Sequence, residues 1–312
     1  MIIRDFRKED FEGVIECTVK SFADEFDITG FDPDKWRKLV RRRFSISGKA
    51  LFALLRLFNR EPMKFLVADV DGKVVGTTML SKRKNGCYIS IVMTHPDFRR
   101  KGIAMSLLKT AVDYARKRKL ANAILHVSSV NDSAKDLYRK LGFEKFEESL
   151  YLTAPLDSLI GSGRIDGVQV RDYQKSDEDL VYELIKRSRD PKSLEIYGFR
   201  KKDLRTPFWD RMFRFGTMKK IVAVQDKEIV GHASISYTSK REAGHINSLD
   251  ISPEMVSKGV AEELVKTGAN FVRSCGTTTV LVVVALTNEE LVRRLENLGL
   301  KRRLVFEGMV LE

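Results

Sequence analysis

His95-Pro96-Asp97-Phe98-Arg99-Arg100-Lys101-Gly102-Ile103-Ala104 opens a segment that closes on Asn131, Ala134, Tyr138 and Leu141-Gly142-Phe143. The same frame returns 157 residues later as Ser252-Pro253-Glu254-Met255-Val256-Ser257-Lys258-Gly259-Val260-Ala261, then Asn288, Leu291, Leu295 and Leu298-Gly299-Leu300. Between the landmarks, Ala104, Leu107, Leu108, Ala111, Val112 and Ala115 map onto Ala261, Leu264, Val265, Gly268, Ala269 and Val272, an apolar stripe of helical period repeated without a gap. Asp71-Gly72 and Asp226-Lys227 recur as hairpin turns, and Ile3-Arg4-Asp5-Phe6 recurs as Val170-Arg171-Asp172-Tyr173. The chain of 312 residues therefore reads as a duplicated domain, each half long enough to bury its own core.

Further out from the repeat, the pattern predicts a strand at 2–6, a helix from Lys8 to about Phe22 and helices near 33–44 and 48–59. A hairpin about Asp71-Gly72 and a strand at 88–94 come next, then helix 101–118, strand 122–129, helix 132–140 and strand 144–152. The second half repeats the order: strand 168–172, helices between 176 and 215, a hairpin about Asp226-Lys227, strand 244–251, helix 258–273, strand 278–286, helix 288–297 and strand 301–311. Pro155 and Gly161-Ser162-Gly163 mark 153–167 as a linker, with domains at 1–152 and 168–312.

Composition narrows the class. With 43% hydrophobic and 32% charged residues the chain is an ordinary globular protein, and neither a membrane span nor an apolar leader is legible, which fits a cytoplasmic protein. Cys17, Cys87 and Cys275 are scattered, without the pairing of a disulfide framework or a structural metal site, and no metal is expected. A net charge of +13 suits a polyanion such as nucleic acid, but runs such as Arg41-Arg42-Arg43 and Arg116-Lys117-Arg118-Lys119 equally suit solvated helix faces, the reading favoured here.

The chemistry concentrates at one helix start. A strand feeding Arg99-x-x-Gly102-x-Ala104 makes a phosphate cradle: the first turn of a helix has unpaired N–H groups and a partial positive charge, and glycine lets the backbone approach a bulky anion. The amides of Arg100 to Met105 (Arg100, Lys101, Gly102, Ile103, Ala104, Met105) can wrap a pyrophosphate, with Arg99, Arg100 and Lys101 adding charge.

Ile91 to Ala104, Leu125-x-Val127 and Asn131-x-x-Ala134-x-x-x-Tyr138-x-x-Leu141-Gly142-Phe143 together resemble the GNAT superfamily of acetyl-CoA-dependent N-acetyltransferases. The resemblance covers residues 1–152 well and 168–312 in degraded form. It implies an α/β (α+β) fold of two tandem GNAT-like domains, each a mixed, mostly antiparallel splayed sheet flanked by helices, with acetyl-CoA as cosubstrate in the gap. It further implies that the backbone of Val92, Met93 and Thr94 pairs with the pantetheine arm, that Asn131 binds the cofactor and that Tyr138 protonates the departing thiolate. Members similar to ribosomal-protein acetyltransferases often carry a glutamate five residues before the asparagine. Here that position is His126, able to take the proton of an amine directly or through water. Asp24-Glu25-Phe26-Asp27 is expected either to line the amine site or to form a solvated loop.

At the mapped positions Arg99 becomes Val256, Arg100 becomes Ser257, His126 becomes Val283 and Tyr138 becomes Leu295, while Gly259, Ala261 and Asn288 remain. The second half is thus expected to be structural or substrate-shaping. The whole is expected to acetylate a primary amine of a small molecule, peptide or protein, as monomer or homodimer. A non-catalytic acyl-CoA-binding regulatory module is the alternative, against which retention of Tyr138 counts.

Overall fold

Strand β1 (Ile2–Asp5) is pinned by Arg4, whose guanidinium meets Asp10 at 2.6 Å and Asp69 at 2.7 Å. The repeat preserves the device, with Arg171 on Asp177 at 2.7 Å. The computed structural model describes residues 1–21, 63–159, 165–205, 217–237 and 243–312. The expected helices at 33–44 and 48–59, the acidic stretch 24–27, the run 41–43 and Gly161-Ser162-Gly163 lie outside them. Among the described residues no helix is long and apolar enough to cross a membrane.

The chain divides into two compact units. Unit 1 comprises Met1–Val127, Asn131–Lys145 and Met309–Glu312; unit 2 comprises Ser128–Val130 and Phe146–Gly308.

In unit 1, β1 is followed by α1 (Phe11–Ser21), β2 (Met63–Val70), β3 (Lys73–Lys82), β4 (Gly86–Thr94), α2 (Ile103–Lys117), β5 (Asn122–Ser128) and α3 (Asp132–Lys140). Asp71 and Gly72 take left-handed conformations (φ 51° and 80°), the two-residue turn that matches strand twist and joins β2 to β3. The sheet runs β1-β2-β3-β4-β5, antiparallel until β4 meets β5 in parallel. Leu107, Leu108, Ala111 and Ala115 of α2 bury against Leu66, Val75, Ile89, Leu125 and Val127 on one face of the sheet. On the other face Val14 of α1 packs with Val67 and Val74.

Unit 2 contains β6 (Glu144–Pro155), β7 (Val168–Asp172), α4 (Glu178–Ser188), α5 (Pro191–Tyr197), β8 (Thr217–Gln225), β9 (Glu228–Tyr237) and β10 (Ala243–Ile251). It continues through α6 (Val260–Ser274), β11 (Thr279–Ala285), α7 (Glu289–Asn297) and β12 (Lys301–Leu311). Its strands are ordered β6-β11-β10-β9-β8-β7. The duplicated fold is thus present as expected, a mixed and mostly antiparallel sheet with helices in each unit.

The expected boundaries need correction. Strand β6 ends the first half in sequence, yet from Phe146 onward it belongs to unit 2, pairing antiparallel with β11 from Ser149–Ala285 to Pro155–Thr279. Leu150, Leu152 and Ala154 bury there, and Leu156 and Leu159 of the following 3-10 turn join the same core, so 153–159 is structural rather than linker. Reciprocally, Met309–Glu312 at the end of β12 belong to unit 1, where Met309 is buried in the same core cluster as Tyr138 and Phe143. The halves exchange the ends of their last strands.

Candidate functional site

Strands β4 and β5 pair only from Gly86–Asn122 to Tyr88–Ile124. Immediately beyond, a bulge breaks the β3–β4 register between Thr77 and Met79, with Ile91 at φ 56°. A β-branched residue in that region is strained by roughly 1–2 kcal/mol, a cost that persists only where the surrounding packing imposes it. The bulge redirects Val92-Met93-Thr94, leaving this edge of β4 without a β5 partner. Val92 packs partly against the core, Met93 is buried, and the Thr94 carbonyl accepts a hydrogen bond from Ser21 Oγ at 3.1 Å.

At the end of β4 the buried His95 caps a 3-10 turn over Pro96–Phe98, its Nδ1 accepting from the Asp97 amide at 3.3 Å. Arg100 and Gly102 then take positive φ (64° and 76°), turning the chain into α2. The first intrahelical bond is Ser106 N–H to the Gly102 carbonyl at 3.0 Å, so the amides of Ile103, Ala104 and Met105 have no acceptor within the helix. No acidic residue occupies this first turn. Among the described residues a Cβ built on Gly102 would meet nothing within 4 Å. Arg99, Arg100 and Lys101 are exposed around it; Arg99 Nη2 reaches the Ser21 carbonyl at 3.5 Å and Lys101 Nζ sits 4.7 Å over the Phe98 ring. Free amides, a helix dipole and exposed cations are the features that suit an anion at this turn.

Asn131 is the N-cap of α3, its Oδ1 accepting from the Ala134 amide at 3.1 Å. Asn288 does the same for Leu291 at 3.1 Å in the second half. Capping alone accounts for asparagine in both copies, and the retained Asn288 is therefore no sign of cofactor binding. Tyr138, one turn beyond Ala134, is 6% exposed, with its ring 6.1 Å from that of Phe143. Among the described residues its hydroxyl has no hydrogen-bond partner, and burial pushes the phenol up to about 12. His126 alternates on β5 with Leu125 and Val127, which join the cluster holding Tyr138, so it faces the opposite side of the sheet. There its Nδ1 lies 3.0 Å from Tyr88 Oη, with ring centroids 5.6 Å apart. Sequence reasoning passed over Tyr88; the register that sets Tyr88 against Ile124, two residues before His126, brings them together.

The counterpart in unit 2 keeps the backbone and fills the space. Gly259 has φ 88° and Glu263 N–H bonds its carbonyl at 3.1 Å, yet a Cβ there would lie 3.6 Å from Ile165 and 3.7 Å from Arg294. Two carboxylates, Glu262 and Glu263, stand in the first turn of α6, and Arg294 pairs with Glu262 at 2.7 Å. Val256, at the position of Arg99, is buried in the core. The helix N-terminus is already answered by negative charge, which opposes a second anion.

The family model described as acetyltransferase (GNAT) family matches residues 32–143 and again 181–300, and the chain belongs to this family. An uncharacterised N-acetyltransferase of Methanocaldococcus jannaschii is 28% identical over 152 residues, covering 46% of this chain and 61% of that protein's length. An acetyltransferase of Pectobacterium atrosepticum is 31% identical over 147 residues, covering 46% of this chain and 88% of its own. In fold, a tandem GNAT protein from the clavulanic acid biosynthesis pathway matches with a TM-score of 0.69 at 16% identity, covering 100% of this chain and 98% of that one. A GCN5-related N-acetyltransferase from Sphaerobacter thermophilus gives 0.67 at 17% identity, covering 100% and 95%.

Proposed function

We propose that this member of the GNAT acetyltransferase family transfers the acetyl group of acetyl-CoA to a primary amine, and that the first half alone carries the reaction. The observation that carries this reading is the contrast between the two helix starts: basic at Gly102, filled and acidic at Gly259. The amides of Ile103, Ala104 and Met105, with Arg99, Arg100 and Lys101, would hold the pyrophosphate. The edge Val92-Met93-Thr94 would pair with the pantetheine arm, and Asn131 would set the start of α3 beside it.

The chemistry follows from the two faces. A neutral amine attacks the thioester carbonyl from the His126 side. His126 Nε2 takes the ammonium proton, directly or through one water, provided Nδ1 keeps its own proton and donates it to Tyr88 Oη. Tyr88 orients the imidazole ring through this contact. The tetrahedral oxyanion collapses, the C–S bond breaks, and Tyr138 Oη gives its proton to the thiolate on the other side. The products are the amide and free CoA; His126 passes its proton to solvent and Tyr138 regains one. A phenol held up to about 12 by burial remains protonated throughout the physiological range, as a donor must. Acid and base groups placed this way typically contribute roughly 10²–10⁴-fold.

The test is release of CoA thiol from acetyl-CoA in the presence of peptides with a free α-amino group, spermidine or glucosamine, beside N-formylated peptides. Release with a free amine, lost on blocking it, supports the reading. Binding of acetyl-CoA with no release for any amine would favour the regulatory module instead.

A further inference from the structure

We infer that Met309 and Leu311 are positioning residues for Tyr138, so that the segment ending the second half seats the proton donor of the first. The inference rests on the role given to Tyr138 above. Helix α3 is nine residues long, too short to hold its shape without tertiary support, and it packs through Ala134, Leu137, Tyr138 and Leu141. Two features fix the Tyr138 end. The Phe143 amide bonds the Tyr138 carbonyl at 3.1 Å, and Gly142 turns the chain at φ 89°. Against that turn lies Leu311, whose Cδ1 would be 3.3 Å from a Cβ on Gly142, closer than nine in ten such contacts. Met309, 1% exposed, completes the cluster that contains Tyr138 and Phe143.

The second half supplies the control within the molecule. Gly299 stands where Gly142 does and has φ 103°, yet among the described residues a Cβ there would meet nothing within 4 Å. Its helix carries Leu295 in place of tyrosine, a side chain that needs burial but no aim. Close packing on the turn accompanies the tyrosine copy.

The experiment places 3-fluorotyrosine at position 138 of the full chain and follows its ¹⁹F resonance and phenol titration, with and without CoA, in Met309→Ala, Leu311→Ala and Met309→Leu. The expected result is a shifted, broadened resonance and at least a tenfold fall in phenol proton affinity for both alanine variants. Met309→Leu should restore the parent spectrum, and acetyl-CoA affinity should stay within threefold. An unchanged resonance and titration in the folded alanine variants would overturn the inference. If Met309→Ala does not fold, Leu311→Ala decides, since Leu311 is only half-buried. A parent resonance indifferent to CoA would count against Tyr138 as proton donor, while its response to Leu311 would still report on the seat.

Discussion

Tyr88 and His126 are joined across two strands that part immediately beyond them: Tyr88 Oη lies 3.0 Å from His126 Nδ1, and the last β4–β5 pair is Tyr88–Ile124. The contact sits where the two strands part.

His126→Gln should lower kcat/KM by about 10²-fold, because the proton acceptor is gone. Tyr88→Phe should cost about tenfold, chiefly in kcat, because the imidazole then loses the contact that orients it. Initial rates over a range of acetyl-CoA concentrations check both; a Tyr88→Phe kcat equal to the parent's would remove Tyr88 from the account.

Tyr138→Phe should lower kcat by about 10²-fold and leave KM for acetyl-CoA within about threefold, since only the departing thiolate needs the proton. The same phenol has a stability signature. Burial raises it from 10 to about 12, so the folded state holds this proton more tightly than the unfolded chain. Its contribution is intact below about pH 10 and fades as pH rises towards 12, in all about 2–3 kcal/mol. Denaturant titrations at pH 9 and 11 should show a smaller alkaline loss in the phenylalanine variant.

Arg100→Ala and Lys101→Ala should each weaken acetyl-CoA binding by about threefold to tenfold, less at high salt because both groups are exposed and screened. Lys258→Ala in the second half should change nothing. Fluorescence titration with CoA at 50 and 300 mM salt separates these outcomes.

Asp250, 1% exposed, anchors unit 2. Burial works to raise its carboxyl, but Arg189 at 2.5 Å and His232 at 3.1 Å hold it well below the usual carboxylate range. A depressed carboxyl stabilises the fold above about pH 4 and loses that contribution as pH falls. Asp250→Ala should cost about 3 kcal/mol, towards the low end for a broken buried pair because Arg189 is 40% exposed. A melting temperature within about 1 °C of the parent at pH 7 would contradict this.

Much of the molecule was legible in the sequence because the information was local. Helix 132–140 and strands 168–172 and 301–311 fall where period and turn residues put them, and Asp71-Gly72 makes the turn its left-handed tolerance allows. The exchange of β6 and β12 was not legible, since alternation in Leu150, Leu152 and Ala154 says that a face is buried but not in which core. Asn131 and Asn288 read as a cofactor motif, whereas capping explains both equally. Tyr88 escaped notice because its meaning depends on strand register, which a separation of 38 positions conceals. The closure of the second cradle by Ile165, Arg294 and Glu262 is likewise a matter of tertiary approach.

The most direct test is calorimetric titration of acetyl-CoA into the intact protein and into Gly102→Trp. Gly276→Trp serves as control for a bulky residue at a positive-φ glycine (φ 86°), also with nothing within 4 Å among the described residues, in the turn that follows α6. One site per chain, lost in Gly102→Trp and kept in Gly276→Trp, is the predicted result. Two sites would contradict the filled second cradle, and no binding, or binding untouched at Gly102, would contradict the first.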